Sequence, residues 1–381
     1  MTIYLDNNAT TAASAEVIEV LGEALATLPG NPSSIHRVGR MARNRLDAAR
    51  EEAAEVLGAE PEEVVFTGSG SEADTLAILG AVEAAPADRR HLVVSSVEHP
   101  AVLRAAEATV EHLGASLTLV PPGSDGIVPA EAMLEALRED TLLCSLMLAN
   151  NETGALMPVA RVGAACRERG VLFHCDAVQA VGKVPVDLGS SEADLLSVSG
   201  HKLHGPKGVG LLVRRKGTRL HPVIRGGGQE HGLRPGTENL ASIVALAAAL
   251  GLAREGLEAG EAETIAARRD RLEQGLLALH GPAAVNGPTA PGTRLPNTTN
   301  LSFPGIEAEA LLIGLDREGI CVSTGSACAS GSVEPSHVLR AMQLSPARLA
   351  SSLRISLSRY TTDEEIDRVL EVMAGLLARL A

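Results

Sequence analysis

Lys202 closes the run Ser199-Gly200-His201-Lys202, directly after the mostly apolar stretch Leu195-Leu196-Ser197-Val198. Asp176 ends a second such stretch, Val171-Leu172-Phe173-His174-Cys175. Both stretches read as buried strands, so an acid and an amine stand at two strand ends. The chain contains only four lysines, Lys183, Lys202, Lys207 and Lys216. A covalent link to an aldehyde needs a lysine amine, because a guanidinium stays protonated and cannot act as the nucleophile. In open α/β sheets, ligands sit beyond the carboxyl ends of the strands. A carboxylate for a pyridinium nitrogen and an amine for an aldehyde are what pyridoxal phosphate requires.

Other segments could contribute chemistry, and each has a plainer reading. Gly68-Ser69-Gly70-Ser71 lies between an expected strand and an expected helix. Amides at a helix start and a serine hydroxyl make an anion site; the same residues also make a tight turn with a serine cap. His99, in Glu98-His99-Pro100, follows another strand and is read as a ring-stacking and proton-transfer group, against a structural histidine. Asn150-Asn151-Glu152-Thr153-Gly154 is either a site loop or a polar turn. Arg354 stands inside the strand Leu353-Arg354-Ile355-Ser356-Leu357 and needs a partner there. A substrate carboxylate is the natural one, and an internal ion pair is the alternative. Cys328 sits in the small-residue segment Ser323-Thr324-Gly325-Ser326-Ala327-Cys328-Ala329-Ser330-Gly331, where a thiol can move. Cys144, Cys166 and Cys321 read as buried, and packing is the favoured reading of Cys175.

The elements that must position these groups begin to alternate at about residue 64. Strands are expected at 64–67, 91–96, 116–120, 142–148, up to Asp176 and up to Ser199, with 209–213 antiparallel or at an edge. Helices are expected through Leu79 and near 101–113, 130–137 and 159–169. This βαβ rhythm implies a mostly parallel sheet with helices on both faces. Long helices follow near 238–258 and 262–280. The Gly/Pro-rich stretch from Gly281 to Pro296 leads into a smaller α/β unit, with strands near 298–303 and 353–357 and a last helix opening at Thr362. Two domains are therefore expected: a large one over 16–258, and a small one from 1–15 plus 259–381 that carries Cys328.

Composition narrows the class of function. Of 381 residues, 45% are hydrophobic, yet there is no Trp and only two Tyr and three Phe, so Ala, Leu and Val must fill the core. A formal charge of −14 argues against a nucleic-acid partner. Five cysteines without a CxxC pattern fit a reducing compartment. The first residues show no basic or apolar signal segment, and no uninterrupted membrane span is evident. A cytoplasmic protein with no membrane partner is expected.

Taken in order, the motifs resemble the cysteine desulfurases of the NifS type, within the class V aminotransferases of fold type I. The resemblance spans nearly the whole chain. It runs through Tyr4-Leu5-Asp6-Asn7-Asn8-Ala9-Thr10-Thr11, Gly30-Asn31-Pro32-Ser33-Ser34, Val97-Glu98-His99-Pro100, Ala149 to Gly154, and Asp176 to Lys183. It continues through Ser199 to Lys202, Arg234 to Glu238, the Cys328 segment, and Ser358-Arg359-Tyr360-Thr361-Thr362. It implies a mostly parallel large domain binding pyridoxal 5'-phosphate, and a homodimer. In this resemblance Lys202 carries the cofactor. Gly70, Ser71, Ser199 and His201 hold its phosphate, with Thr237 reaching in from the other subunit. Asp176 faces the ring nitrogen, Gln179 the ring hydroxyl, Asn151 lies beside the ring, and His99 stacks on it. Arg354, with Asn151, binds the substrate, L-cysteine. Cys328 takes the sulfur as a persulfide and hands it to an iron–sulfur scaffold or another acceptor, meeting metal only in that transient role. Ser71 stands where the family usually has Thr, and the chain closes on its last helix without the extended tail of the housekeeping type. The rival readings are a selenocysteine lyase or a related aminotransferase on this fold, and a non-catalytic thiol scaffold.

Overall fold

The computed structural model describes residues 2–324 and 336–380. Cys328 lies outside them. The chain opens with β1 (Ile3–Tyr4), followed by α1 (Ala15–Thr27) and α2 (Arg37–Val56). Strand–helix alternation follows: β2 (Val64–Thr67), α3 (Gly70–Ala84), β3 (His91–Ser95), α4 (Pro100–Leu113), β4 (Ser116–Val120), α5 (Ala130–Glu135), β5 (Thr141–Ser145) and α6 (Val159–Glu168). Then come β6 (Leu172–Asp176), β7 (Leu195–Ser199), β8 (Gly210–Arg214), α7 (Leu240–Glu258) and α8 (Glu261–Leu279). The remainder is β9 (Ala284–Val285), β10 (Thr298–Ser302), α9 (Ala308–Arg317), β11 (Ile320–Cys321), α10 (His337–Ala341), α11 (Pro346–Ala350), β12 (Ser352–Ser356) and α12 (Asp363–Leu380).

Seven strands form one sheet in the order β2-β8-β7-β6-β5-β3-β4. All pairings among β7, β6, β5, β3 and β4 are parallel, and β8 runs antiparallel to both of its neighbours. The strand 209–213 is thus antiparallel as expected, but it is internal: β2 covers it. Because β8 reverses twice, β2 points the same way as β7, and its carboxyl end reaches the same rim. β3, β5 and β7 are buried along their whole length, as parallel strands covered on both faces must be. β4, at the margin, alternates less and is mostly accessible. β5 ends at Ser145, before the expected Leu148, and the chain then leaves the sheet towards Asn150.

α7 is long and apolar enough to cross a membrane by composition. It packs instead against α1 and α2, with Ile243, Val244, Leu246 and Leu250 buried in the main core. A second core holds Ile3 and Leu5 together with Leu272, Leu311, Ile355, Val369 and Met373. β12, β10 and β9 form its antiparallel sheet, and β1 pairs in parallel with β11. α12 starts as expected: Thr362 Oγ1 accepts the Glu365 amide and Glu365 returns a carboxylate oxygen to the Thr362 amide, a reciprocal cap. Val338, Leu339 and Met342, from in and beside α10, belong to the core of the large sheet. Cys144, Cys166 and Cys175 are buried, whereas Cys321 is only partly so, which corrects the expectation for it.

Candidate active site

Five strands present their carboxyl ends on one rim, and each delivers a group of interest. β2 leads to Gly70, β3 to His99, β5 to Asn151, β6 to Asp176 and β7 to Lys202. At the first of these, Ser69 caps α3 by accepting the Glu72 amide. Amides at a helix start otherwise lack intrahelical partners and favour an anion. Gly70 has no room for a side chain: a Cβ would lie 2.8 Å from Val178 Cγ2 and 3.1 Å from Ser199 Cβ. The hydroxyl of Ser199 is buried without a hydrogen-bond partner. A close backbone approach, a helix start and an orphaned hydroxyl together fit a phosphate group. His201 places Nδ1 3.1 Å from Thr10 Oγ1, and burial, then the Lys202 charge, push the ring down to about 4. Ser71 is exposed on the first turn of α3, and Thr237 is exposed ahead of α7.

Asp176 ends β6 almost completely buried, with Oδ1 accepting the Val178 amide at 2.9 Å. Burial first, and then the nearby Asp74 carboxyl, raise it to about 7. A protonated ring nitrogen would place a cation against this buried carboxylate, so the residues present fit the cofactor at this end too. One residue pair deeper, His174 is held between Ser145 Oγ at 2.8 Å and Ser197 Oγ at 3.0 Å, and burial keeps it neutral, at about 4.

His99 caps α4, with Pro100 at the first helical position. Its Nδ1 accepts the Ala101 amide at 3.1 Å, so the neutral ring carries its proton on Nε2. Burial, then the charges of Lys202 and His337, push His99 down to about 4 and keep it neutral near pH 7.

The N-terminal segment ties these strand ends to the small-domain sheet. Lys202 Nζ donates to the carbonyls of Asn8 and Ala9 at 2.6 and 2.8 Å. Gln179 Nε2 donates to the same Asn8 carbonyl at 2.9 Å. Asn8 Nδ2 and Arg354 Nη1 both donate to the Asn151 carbonyl, at 3.0 and 3.2 Å. Arg354 also pairs with Asp6 at 2.6 Å, while its Nε is buried without a partner. The internal ion pair considered for Arg354 is therefore present, and the guanidinium keeps a spare donor. Lys202, Gln179, Asn151, His201 and Arg354 all converge on residues 6–10.

Sequence reasoning quoted residues 6–11 as a motif but assigned them no role. The signal was available as an unbroken polar stretch, Asp6-Asn7-Asn8, directly after the apolar Leu5. It named Lys183 among the four lysines without giving it a role, and passed over Ser336, whose hydroxyl donates to Glu152 Oε2 at 2.5 Å. Burial holds Glu152 up at about 7. Among the described residues no cluster of His, Cys, Asp and Glu could hold a metal ion.

The Aminotransferase class-V family model matches residues 3–369. A cysteine desulfurase of Nostoc sp. is 47% identical over 379 residues, covering 99% of this chain and 93% of that one. The cysteine desulfurase NifS of Azotobacter vinelandii is 45% identical with the same coverage. A solved NifS-like protein superposes with a TM-score of 0.93 at 37% identity, covering all of both chains. The chain belongs to the class-V aminotransferase family and, within it, to the cysteine desulfurases, enzymes that depend on pyridoxal 5'-phosphate.

Proposed function

We propose that this chain converts L-cysteine to L-alanine and carries the released sulfur as a persulfide on Cys328. The observation that supports this most is the convergence of Lys202, Gln179 and Arg354 on residues 6–10, beside the buried Asp176. It sets an amine, an acid and a carboxylate-binding cation around one place. The 16–258 unit supplies the first two, and the 1–15 plus 259–381 unit supplies Arg354 and Cys328.

When bound, pyridoxal phosphate supplies an aldehyde for the amine and a ring that takes up the electron pair of a breaking bond. The residues do the rest. Ser199, His201, Ser71 and the α3 amides beside Gly70 hold the phosphate, and Asp176 keeps the ring nitrogen protonated. Gln179 faces the ring oxygen, and Asn151 flanks the ring. Arg354 orients the substrate carboxylate with Asn151, and Lys202 Nζ takes the α-proton. His99, neutral with its hydrogen on Nε2, stacks on the ring and relays a proton through that atom, taking one up from the substrate before passing one on, so that the ring ends neutral as it began. The Cys328 thiolate attacks the substrate sulfur. A sulfur–sulfur bond forms, the Cβ–S bond breaks, and its electron pair ends, with a proton, on the methyl of alanine. No outside oxidant is needed. Thr237 and the apolar surface at Ile35, 90% exposed, belong to the contact with a second copy. The sulfur passes on to an acceptor protein such as an iron–sulfur scaffold, in the cytoplasm.

Purified protein supplied with the cofactor, L-cysteine and a thiol reductant should yield alanine and sulfide in equal amounts. Alanine formed only when a keto acid is added would mean transamination instead.

Arg354→Ala is expected to raise KM for cysteine about ten- to a hundredfold with the cofactor still bound, since a charge-assisted contact contributes roughly 1.5–3 kcal/mol. An unchanged KM would mean that Asp6 is the only carboxylate Arg354 serves.

A further inference from the structure

Lys183 has no part in the reaction as described, yet it is hydrogen-bonded to one of the site's residues, Gln179. Its Nζ donates to Gln179 O at 2.9 Å and to Gln179 Oε1 at 3.0 Å. The charged groups that act on it are Lys202 and Arg354, both cations. A half-buried ammonium in such company is disfavoured, and burial followed by these two charges lowers Lys183 to about 7. A donor-only group placed there has a consequence for its neighbour. A side-chain amide can present either end, and its hydrogen-bond partners decide which. Gln179 Oε1 meets Lys183, which offers only hydrogens while charged, and Gln179 Nε2 meets the Asn8 carbonyl, which only accepts. Turning the amide over would set acceptor against acceptor at the Asn8 carbonyl and, while Lys183 is charged, donor against donor at its Nζ. One Nε2 hydrogen remains uncommitted to Asn8.

We propose that Lys183 is a positioning residue that locks the Gln179 amide with its N–H end towards the cofactor ring oxygen and, through the shared Asn8 carbonyl, towards Lys202. The proposal rests on the reading of Gln179 as the partner of that oxygen. A fixed donor favours the anionic oxygen, and so favours the form of the Lys202–cofactor linkage whose nitrogen carries no proton. Arg354 is the other cation acting on Lys183, and Asp6 compensates it. His201 and His204, both held near 4 by burial, stay neutral through the relevant range.

The experiment is a pH titration of the visible absorbance of the cofactor-loaded protein without substrate. Lys183→Met should move the midpoint upwards by roughly half a unit to one unit, the size of one hydrogen bond. Lys183→Arg, which keeps donors and charge, should recover most of that shift. Gln179→Met should show a similar rise, and adding Lys183→Met to it should change little more. An unmoved midpoint in Lys183→Met overturns the assignment. So does a full further shift in the Gln179→Met background, because the lysine would then act by charge alone. If Lys183→Met does not fold, Gln179→Met decides, and an unchanged midpoint there overturns the proposal. Absence of any visible band in the unmodified protein would instead sink the reading of the site itself.

Discussion

Cys328→Ala is expected to abolish the conversion of cysteine to alanine while the protein stays folded and yellow. The effect should reach about a thousandfold or more, the scale on which losing a reacting nucleophile is felt. Among the described residues, the contacts of Lys202, Asp176, Gln179 and Arg354 include Asn8, Ala9, Val178, Lys183, Asn151 and Asp6, and these do not depend on residue 328. The visible spectrum with cysteine bound should therefore form as in the unmodified protein, and only the sulfur step should stop. Isotopically labelled cysteine should leave its sulfur on Cys328, released as sulfide by a reductant. Alanine formed at a near-normal rate by the variant would mean that sulfur leaves by direct elimination, without the thiol. Loss of cysteine turnover with selenocysteine turnover kept would show that the cofactor machinery is intact and that the thiol serves sulfur alone.

Lys202→Ala is expected to remove the covalent link to the cofactor and to lower turnover by a comparable factor. The same amine both anchors the cofactor and takes the α-proton, so both losses fall on one side chain. Borohydride reduction of the unmodified protein followed by peptide mapping should place the label on Lys202. Lys183 is the chemical competitor. An amine held near 7 is neutral in a large fraction of molecules at neutral pH, and neutral amines are the ones that react with aldehydes. Its nitrogen, however, is turned onto Gln179, whereas Lys202 follows the carboxyl end of β7 and turns its Nζ to the Asn8 and Ala9 carbonyls. A label recovered on Lys183, Lys207 or Lys216 would overturn this placement.

Much of the site was readable before any coordinates. Asp176 and Ser199 stood out because a parallel strand covered on both faces is an apolar run, and the polar residue that ends it marks the sheet's rim. Lys202 stood out because lysine is so rare here. Helix starts with local chemistry, such as the serine cap within Gly68-Ser69-Gly70-Ser71 and the start at Thr362, were also visible, since capping involves residues close in sequence. α1 and α2 were not picked out. The buried face of α2, Gly39, Ala42, Leu46, Ala49, Arg50, Ala53 and Ala54, recurs at the helical period against a charged outer face, so the signal was present in the sequence.

What tertiary structure decided were the partners distant in sequence. Nothing local to Arg354 announces that Asp6 neutralises it, because β12 and the N-terminal segment meet only when the small-domain sheet assembles. The internal place of β8 depended on β2 closing over it, a pairing between residues some 150 apart. The orientation of the Gln179 amide depended on a lysine four residues on and a carbonyl near the other end of the chain. Residue types and strand-end positions come from local hydrophobic pattern, which the sequence carries by itself. Which donor meets which acceptor comes from the packing of two cores around residues 6–10, and only the folded chain holds that.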